Sequence, residues 1–166
     1  MKRLAYGGVR VSSILVVDDE APMREFYRRA LVAGGHNPLD VRTAEEALDF
    51  LSMTPGIPVA VVDLSMPGRG GVWLIDQIRQ RFPSVAVILA TADERVPGSV
   101  SLQASVVGYL VKPISAQQLL DAVQDALDKP RETSPTIPEQ RQGDPIEAWL
   151  DKKLTHRNGD AKDSQK

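Results

Sequence analysis

Asp18, Asp19 and Glu20 follow the run Ile14-Leu15-Val16-Val17, Asp63 follows Val59-Ala60-Val61-Val62, and Lys112-Pro113 follows Tyr109-Leu110-Val111. Carboxylates gathered in one place repel one another and call for a cation. A lysine and a divalent metal would supply it, and the result would be a site for a phosphoryl group. A carboxylate is itself a competent nucleophile on phosphorus, provided the charge of an anionic donor is cancelled as it approaches. Unbroken Val/Ile/Leu runs separated by helical stretches read as parallel strands covered by helices on both faces. In such sheets ligands bind beyond the carboxyl ends of the strands. Since all three clusters lie at such ends, they are expected to converge in one crevice.

Each cluster alone has an ordinary explanation. Three acids after a strand suit the positive end of a helix dipole, a single lysine is most often a solvated one, Tyr109 could be a half-buried aromatic on an edge strand, and threonine at a strand end, as at Thr91, is common. Their common register lifts them above it. His36 and His156 have no partners at metal-site spacing, and Trp73 reads as partial core.

Strand and helix signals alternate over residues 13–129, the pattern of repeated βαβ units. After the first strand, Pro22 sits where an opening helical turn tolerates it, and Met23, Phe26, Tyr27, Ala30 and Leu31 recur at helical spacing until Gly34-Gly35 stops the run. Residues 36–42 make a poor strand, and Pro38 lacks a ladder donor, so this strand belongs at a sheet edge. Thr43 with Glu46 and Ser115 with Gln118 form capping boxes that open helices carrying Ala44, Ala47, Leu48 and Leu51, and Leu119, Leu120, Val123, Ala126 and Leu127. Between them, residues 57–64 and 85–90 read as strands, and Val72, Leu74, Ile75, Ile78 and Phe82 mark a further helix. Residues 96–107 predict a short helix, delayed by Pro97-Gly98 and weakened by Ser99, Ser101 and Ser105.

The chain has 166 residues, 42% of them hydrophobic, a formal net charge of −2 and no cysteine. That length allows one compact domain plus some excess. The charge gives no basic field for nucleic-acid binding, and the absence of cysteine excludes disulfides and thiolate metal sites. No run has the length of a signal peptide core or a membrane span, so a cytoplasmic location is expected, without direct nucleic-acid or membrane partners. Residues 1–12 read as an extension. Residues 130–143 are too polar to order themselves and read as a disordered linker. Residues 144–166 read as a short amphipathic helix, with Ile146, Trp149, Leu150 and Leu154 on its stripe, followed by a disordered end.

The motifs Val17-Asp18-Asp19-Glu20, Asp63 followed by Met66-Pro67 and Gly71, Thr91 at the end of the fourth strand, and Gly108-Tyr109-Leu110-Val111-Lys112-Pro113 together resemble the receiver domain of two-component response regulators, in particular the stand-alone chemotaxis-regulator type. The resemblance covers residues 13–129. It implies a doubly wound α/β fold of flavodoxin-like type, with a five-stranded parallel sheet in the order 2-1-3-4-5 and helices on both faces, which would put the strand containing Pro38 at an edge. It also implies that Asp63 is the phosphoacceptor, that Asp18, Asp19, Asp63 and the backbone carbonyl of Ser65 hold Mg²⁺, that Lys112 meets the phosphoryl oxygens, and that Thr91 and Tyr109 are the switch pair. The sequence departs from the common pattern at Ser105, where a glycine is frequent, and at Pro97-Gly98, both in the region the family uses for output.

The function so implied is a phosphorylation-controlled signalling switch that accepts its phosphoryl group from a histidine kinase or phosphotransfer protein and signals by binding a downstream protein. It would be no enzyme beyond its own Mg²⁺-dependent phosphorylation and dephosphorylation. The alternatives are a phosphorelay intermediate and an interaction scaffold that is never phosphorylated. An aspartyl-phosphate hydrolase is disfavoured, because such enzymes carry an acid two residues after the nucleophile and this chain has Ser65 there.

Overall fold

The computed structural model describes residues 11–92 and 105–129. The expectations for most of the extension, the linker, the C-terminal stripe and most of the 96–107 helix fall outside them. The described elements are β1 (Ser13–Val17), α1 (Ala21–Ala33), β2 (Asn37–Val41), α2 (Ala44–Met53), β3 (Val59–Asp63), α3 (Gly70–Arg81), β4 (Ala86–Thr91), β5 (Val106–Val111) and α4 (Ala116–Asp128). One correction follows at once. Val106 and Val107, expected at the end of a helix, open β5 instead, because two β-branched residues beside Tyr109 suit the sheet and extend its apolar run.

Among the described residues the strands form one parallel sheet in the order β2-β1-β3-β4-β5. Side chains alternate across a strand, so the apolar runs feed two cores. Ile14, Val16, Val59, Val61, Ile88 and Ala90 pack beneath α1 and α4, with Tyr27, Leu31, Leu119 and Val123. Leu15, Val17, Ala60, Val62, Val87 and Leu89 pack on the other face beneath α2 and α3, with Leu48, Leu51, Leu74, Ile75 and Ile78. This is why the central strands read as continuous hydrophobic runs rather than alternating ones.

The helix boundaries follow from local chemistry. Pro22 stands in the first turn of α1 and Gly34 caps its end, with Gly35 at φ 81° turning the chain toward β2. The Thr43 hydroxyl accepts from the Glu46 N–H, while the Glu46 carboxylate returns to the N–H of Arg42, one residue before the cap. At α4 the reciprocal Ser115 and Gln118 bonds are both made. Pro38 pairs with Ile14 on the edge strand β2. Trp73 packs partly buried against the α2/α3 core, as expected. No helix among the described residues is long and apolar enough to cross a membrane.

His36, between α1 and β2, is 8% exposed and its Nδ1 has no hydrogen-bond partner among the described residues. Burial lowers the imidazole from its ordinary value of 6.5, so the folded protein favours the neutral ring. Its contribution to stability is present above 6.5 and is lost as pH falls through the lower folded value. Urea denaturation from about pH 7 down to about pH 5 should therefore show a steeper loss of stability in the wild type than in His36→Gln. Parallel losses in the two proteins would contradict this assignment.

Candidate functional site

The order of the sheet brings the ends of β1, β3, β4 and β5 side by side, and Asp18, Asp63, Thr91 and Lys112 stand at those four ends. Asp18 is fully buried, Asp63 is 3% exposed and Thr91 is 1% exposed. The Lys112 ammonium donates to Asp18 Oδ2 at 3.0 Å and to Asp63 Oδ2 at 3.1 Å. The other carboxylate oxygens are also occupied: Asp18 Oδ1 accepts the Glu20 N–H at 2.8 Å, and Asp63 Oδ1 accepts the Ser65 N–H at 2.9 Å. Lys112 is held at its backbone too, where its N–H donates to the Thr91 carbonyl at 2.7 Å. The peptide between Lys112 and Pro113 is cis.

One oxygen from each of Asp18, Asp19 and Asp63 can be chosen so that all three lie within 4.8 Å of one another. Two of these acids are buried and Asp19 is exposed. An all-oxygen donor set in a chain without cysteine suits a hard divalent cation that retains some of its waters. The residues present therefore fit such an ion.

The electrostatics set burial against pairing. Burial raises the Asp18 carboxyl above its ordinary value, and the Lys112 hydrogen bond and the Glu20 N–H do not fully offset it. For Lys112, burial alone acts to lower the ammonium, but the hydrogen bonds and charges of Asp18 and Asp63 together outweigh it and hold it above its ordinary value. The two directions agree: two acids suffice to keep one lysine charged, whereas one shared lysine does not fully compensate a buried acid. The Tyr27 hydroxyl on α1 is buried, has no partner among the described residues, and is raised by burial and then by the charges of Asp18, Asp63 and Glu20.

The structure thus brings together Asp18, Asp19, Asp63 and Lys112, with Thr91 on the adjacent strand end. Ser65 follows in the exposed turn after β3. Tyr109 is set apart: it pairs with Leu89, two rungs before the Thr91–Val111 pair, and is 37% exposed. Glu20 contributes its backbone N–H rather than a carboxylate of the triad.

One contributor, Arg24, escaped the sequence reading, as did the structural reason for Gly71. Arg24 donates to the carbonyls of Asp18 and Asp19 at 2.8 and 3.0 Å; only its place six residues after Asp18 could have suggested it. Gly71, noted for its spacing, has a steric reason: a Cβ there would lie 2.1 Å from the Asp63 carbonyl oxygen and 2.7 Å from Leu64 Cα. The first turn of α3 packs directly on the backbone of Asp63, and no side chain fits between them.

The sequence model of the response regulator receiver domain matches residues 14–124. The chain belongs to that family. The response regulator FleR of Pseudomonas aeruginosa is 36% identical over 113 residues, covering 68% of this chain and 24% of FleR, so the chain spans about a quarter of that relative's length. A chemotaxis protein CheY homologue of Campylobacter jejuni is 32% identical over 120 residues, which cover 69% of this chain and 91% of the homologue. Among solved structures, the response regulator TrrA of Thermotoga maritima, crystallised in complex with Mg²⁺ and BeF, superimposes with a TM-score of 0.64 at 27% identity, covering 70% of this chain and 99% of TrrA. The fold and its sheet order are therefore those of a response regulator receiver domain.

Gly71→Ala offers a direct check on the packing behind Asp63. The added methyl meets backbone rather than a flexible side chain, so the substitution should cost about 1–3 kcal/mol in spite of the better helix propensity of alanine. Chemical denaturation measures this. A variant as stable as the wild type would show that α3 can move off the Asp63 backbone freely.

Proposed function

We propose that residues 13–129 act as a phosphorylation-controlled switch in which Asp63 accepts a phosphoryl group from a histidine kinase or phosphotransfer protein, and that the altered surface then binds a downstream protein. The observation that carries this reading is the Lys112 ammonium lying between Asp18 and Asp63, at 3.0 and 3.1 Å, beside a third carboxylate. A buried acid held on one side by a lysine and flanked by further acids is arranged for electrophiles that carry negative charge and arrive with a cation.

In the proposed reaction an Asp63 carboxylate oxygen attacks phosphorus, the phosphorus–oxygen bond of an acyl phosphate forms, and the bond from phosphorus to the donor's leaving group breaks. The Asp63 backbone is held from behind by Gly71, so the carboxylate is presented to the crevice without much freedom. Lys112, already between two acids, exchanges a carboxylate contact for a phosphoryl oxygen and so follows the charge as it develops. Mg²⁺, held by Asp18, Asp19, Asp63 and the Ser65 carbonyl, would neutralise phosphoryl oxygens and orient the donor. The complex of TrrA with Mg²⁺ and BeF supports carrying this ion to the present chain.

Thr91 and Tyr109 are proposed to convert the new charge into a change of surface. The Thr91 hydroxyl, at the end of β4, would turn toward the phosphoryl oxygens, and the half-exposed Tyr109 on β5 would fill the space that opens, shifting an equilibrium between two surfaces. The kinase and the downstream protein are assigned only by chemical role.

Acetyl phosphate with Mg²⁺ should add one phosphoryl group to the wild type and none to Asp63→Asn, as read by intact mass. Equal labelling of the two proteins would remove Asp63 from its role. Thr91→Ala should still be phosphorylated but should lose most of the phosphorylation-dependent chemical-shift change around Tyr109. A full-sized change in that variant would refute the coupling between the two residues.

A further inference from the structure

Two of the three acids in the triad are tethered through their own carboxylate oxygens, Asp18 by the Glu20 N–H and Lys112, and Asp63 by the Ser65 N–H and Lys112. Asp19 has no such tether among the described residues. It is exposed, and what grips it is the guanidinium of Arg24 on α1, which donates from Nη1 to the Asp19 carbonyl at 3.0 Å and to the Asp18 carbonyl at 2.8 Å. The guanidinium is oriented in turn by Asp40 on β2, whose Oδ2 lies 3.4 Å from Arg24 Nε. Arg24 is 14% exposed and Asp40 40%. Asp40 stands opposite Val16 in the β1–β2 register, and the Asp18 N–H donates to the carbonyl of the next β2 residue, Val41, at 3.3 Å. The turn between β1 and α1 is therefore docked onto the edge strand at both points.

We infer that Arg24, oriented by Asp40, is a positioning residue that fixes the backbone of Asp18 and Asp19 and so aims the Asp19 carboxylate at the cation. This rests on the reading above that Asp18, Asp19 and Asp63 hold Mg²⁺. The planar guanidinium holds several donors in a fixed fork, so one side chain can grip two successive carbonyls and still face a carboxylate. Holding both carbonyls sets the peptide planes on either side of the Asp19 Cα, and with them the direction in which its side chain leaves the chain. Mg²⁺ demands near-octahedral geometry, so a ligand with free choice of direction loses affinity. Groups that orient metal ligands without touching the metal are worth about 10–100-fold in affinity.

The proposal can be told from a mere effect of charge, because the two have opposite signs. Arg24 puts a positive charge near a cation site, so on electrostatics alone its removal would tighten Mg²⁺ binding. Positioning requires the reverse. Lysine separates them further, since it keeps the charge and loses the fork.

Mg²⁺ is titrated by calorimetry into the full 166-residue chain at constant ionic strength, for the wild type, Arg24→Ala, Arg24→Lys, Asp40→Asn and Asp19→Asn, with circular dichroism confirming the fold of each. The dissociation constant should rise about tenfold in Arg24→Ala and about as much in Arg24→Lys, with a smaller rise in Asp40→Asn. Amide hydrogen exchange at Asp19 and Glu20 in the metal-free protein should also accelerate in Arg24→Lys, a readout independent of any bound ion. Unchanged affinity in Arg24→Lys, or tighter binding in Arg24→Ala, overturns the inference. Should Arg24→Ala not fold, Arg24→Lys and Asp40→Asn decide by the same criteria. If the wild type and Asp19→Asn bind Mg²⁺ equally, the three-acid site itself is wrong and the inference falls with it.

Discussion

One ammonium group shared between two buried carboxylates holds the carboxyl edge of this sheet together. Charges removed from water are tolerated only when paired and hydrogen-bonded, and Lys112 is bonded to both Asp18 and Asp63 while its own N–H is taken by Thr91. It therefore ties the turn after β1, the end of β3 and the end of β4 to the end of β5, elements far apart in sequence. The arrangement is deliberately incomplete. Three acids meet one lysine, and burial keeps the Asp18 carboxyl raised in spite of its bond to Lys112. A crevice in this condition attracts cations, and with a cation present it can admit an anionic group.

Such a crevice is compatible with a stable fold because stability is supplied elsewhere. The sheet feeds an apolar layer on each face: Ile14, Leu15, Val16, Val59, Ala60, Val62, Val87, Ile88 and Leu89 are all fully buried. Burial of this kind is non-directional and spread over many side chains, whereas the site depends on a handful of directed bonds at one edge. The cost of crowding carboxylates is thus carried by a core that does not share in their chemistry. The parallel topology makes the separation possible, since it gathers the carboxyl ends of the strands at one rim and leaves the faces to the helices.

How far this could be read in the sequence depended on whether the signal lay in side chains or in backbone. The strands β1, β3 and β4 were legible as unbroken apolar runs, the edge position of β2 from Pro38, and the start of α4 from Ser115 and Gln118, each to within a residue or two. Asp18, Asp63 and Lys112 were legible because their side chains follow apolar runs at strand ends. Val106 and Val107 were misread because serines and Pro97-Gly98 upstream obscured where the helical pattern stopped, and only pairing with β4 gives them their place. Arg24 was invisible for a different reason: it acts on carbonyls, which every residue possesses, so no residue type marks its targets. The closeness of Gly71 to the Asp63 backbone is likewise a fact of three-dimensional packing, which spacing indicates but does not explain.

The three acids are held in three different ways, and the difference has a consequence for how the crevice can be filled. Asp18 is fixed by a neighbouring amide and a distant lysine, Asp63 by a neighbouring amide, the same lysine and the close packing of Gly71 behind its backbone, and Asp19 by its backbone alone. The first two are buried with their oxygens already engaged, so neither can move toward an arriving ion without breaking bonds that stabilise its charge. Asp19 is exposed with a carboxylate that needs only to rotate. The triad is therefore rigid at Asp18 and Asp63 and adaptable at the exposed Asp19. Precision at Asp63 and access through Asp19 are compatible because Arg24 and Asp40 limit the adaptable member at its backbone while leaving its side chain free to close on the ion.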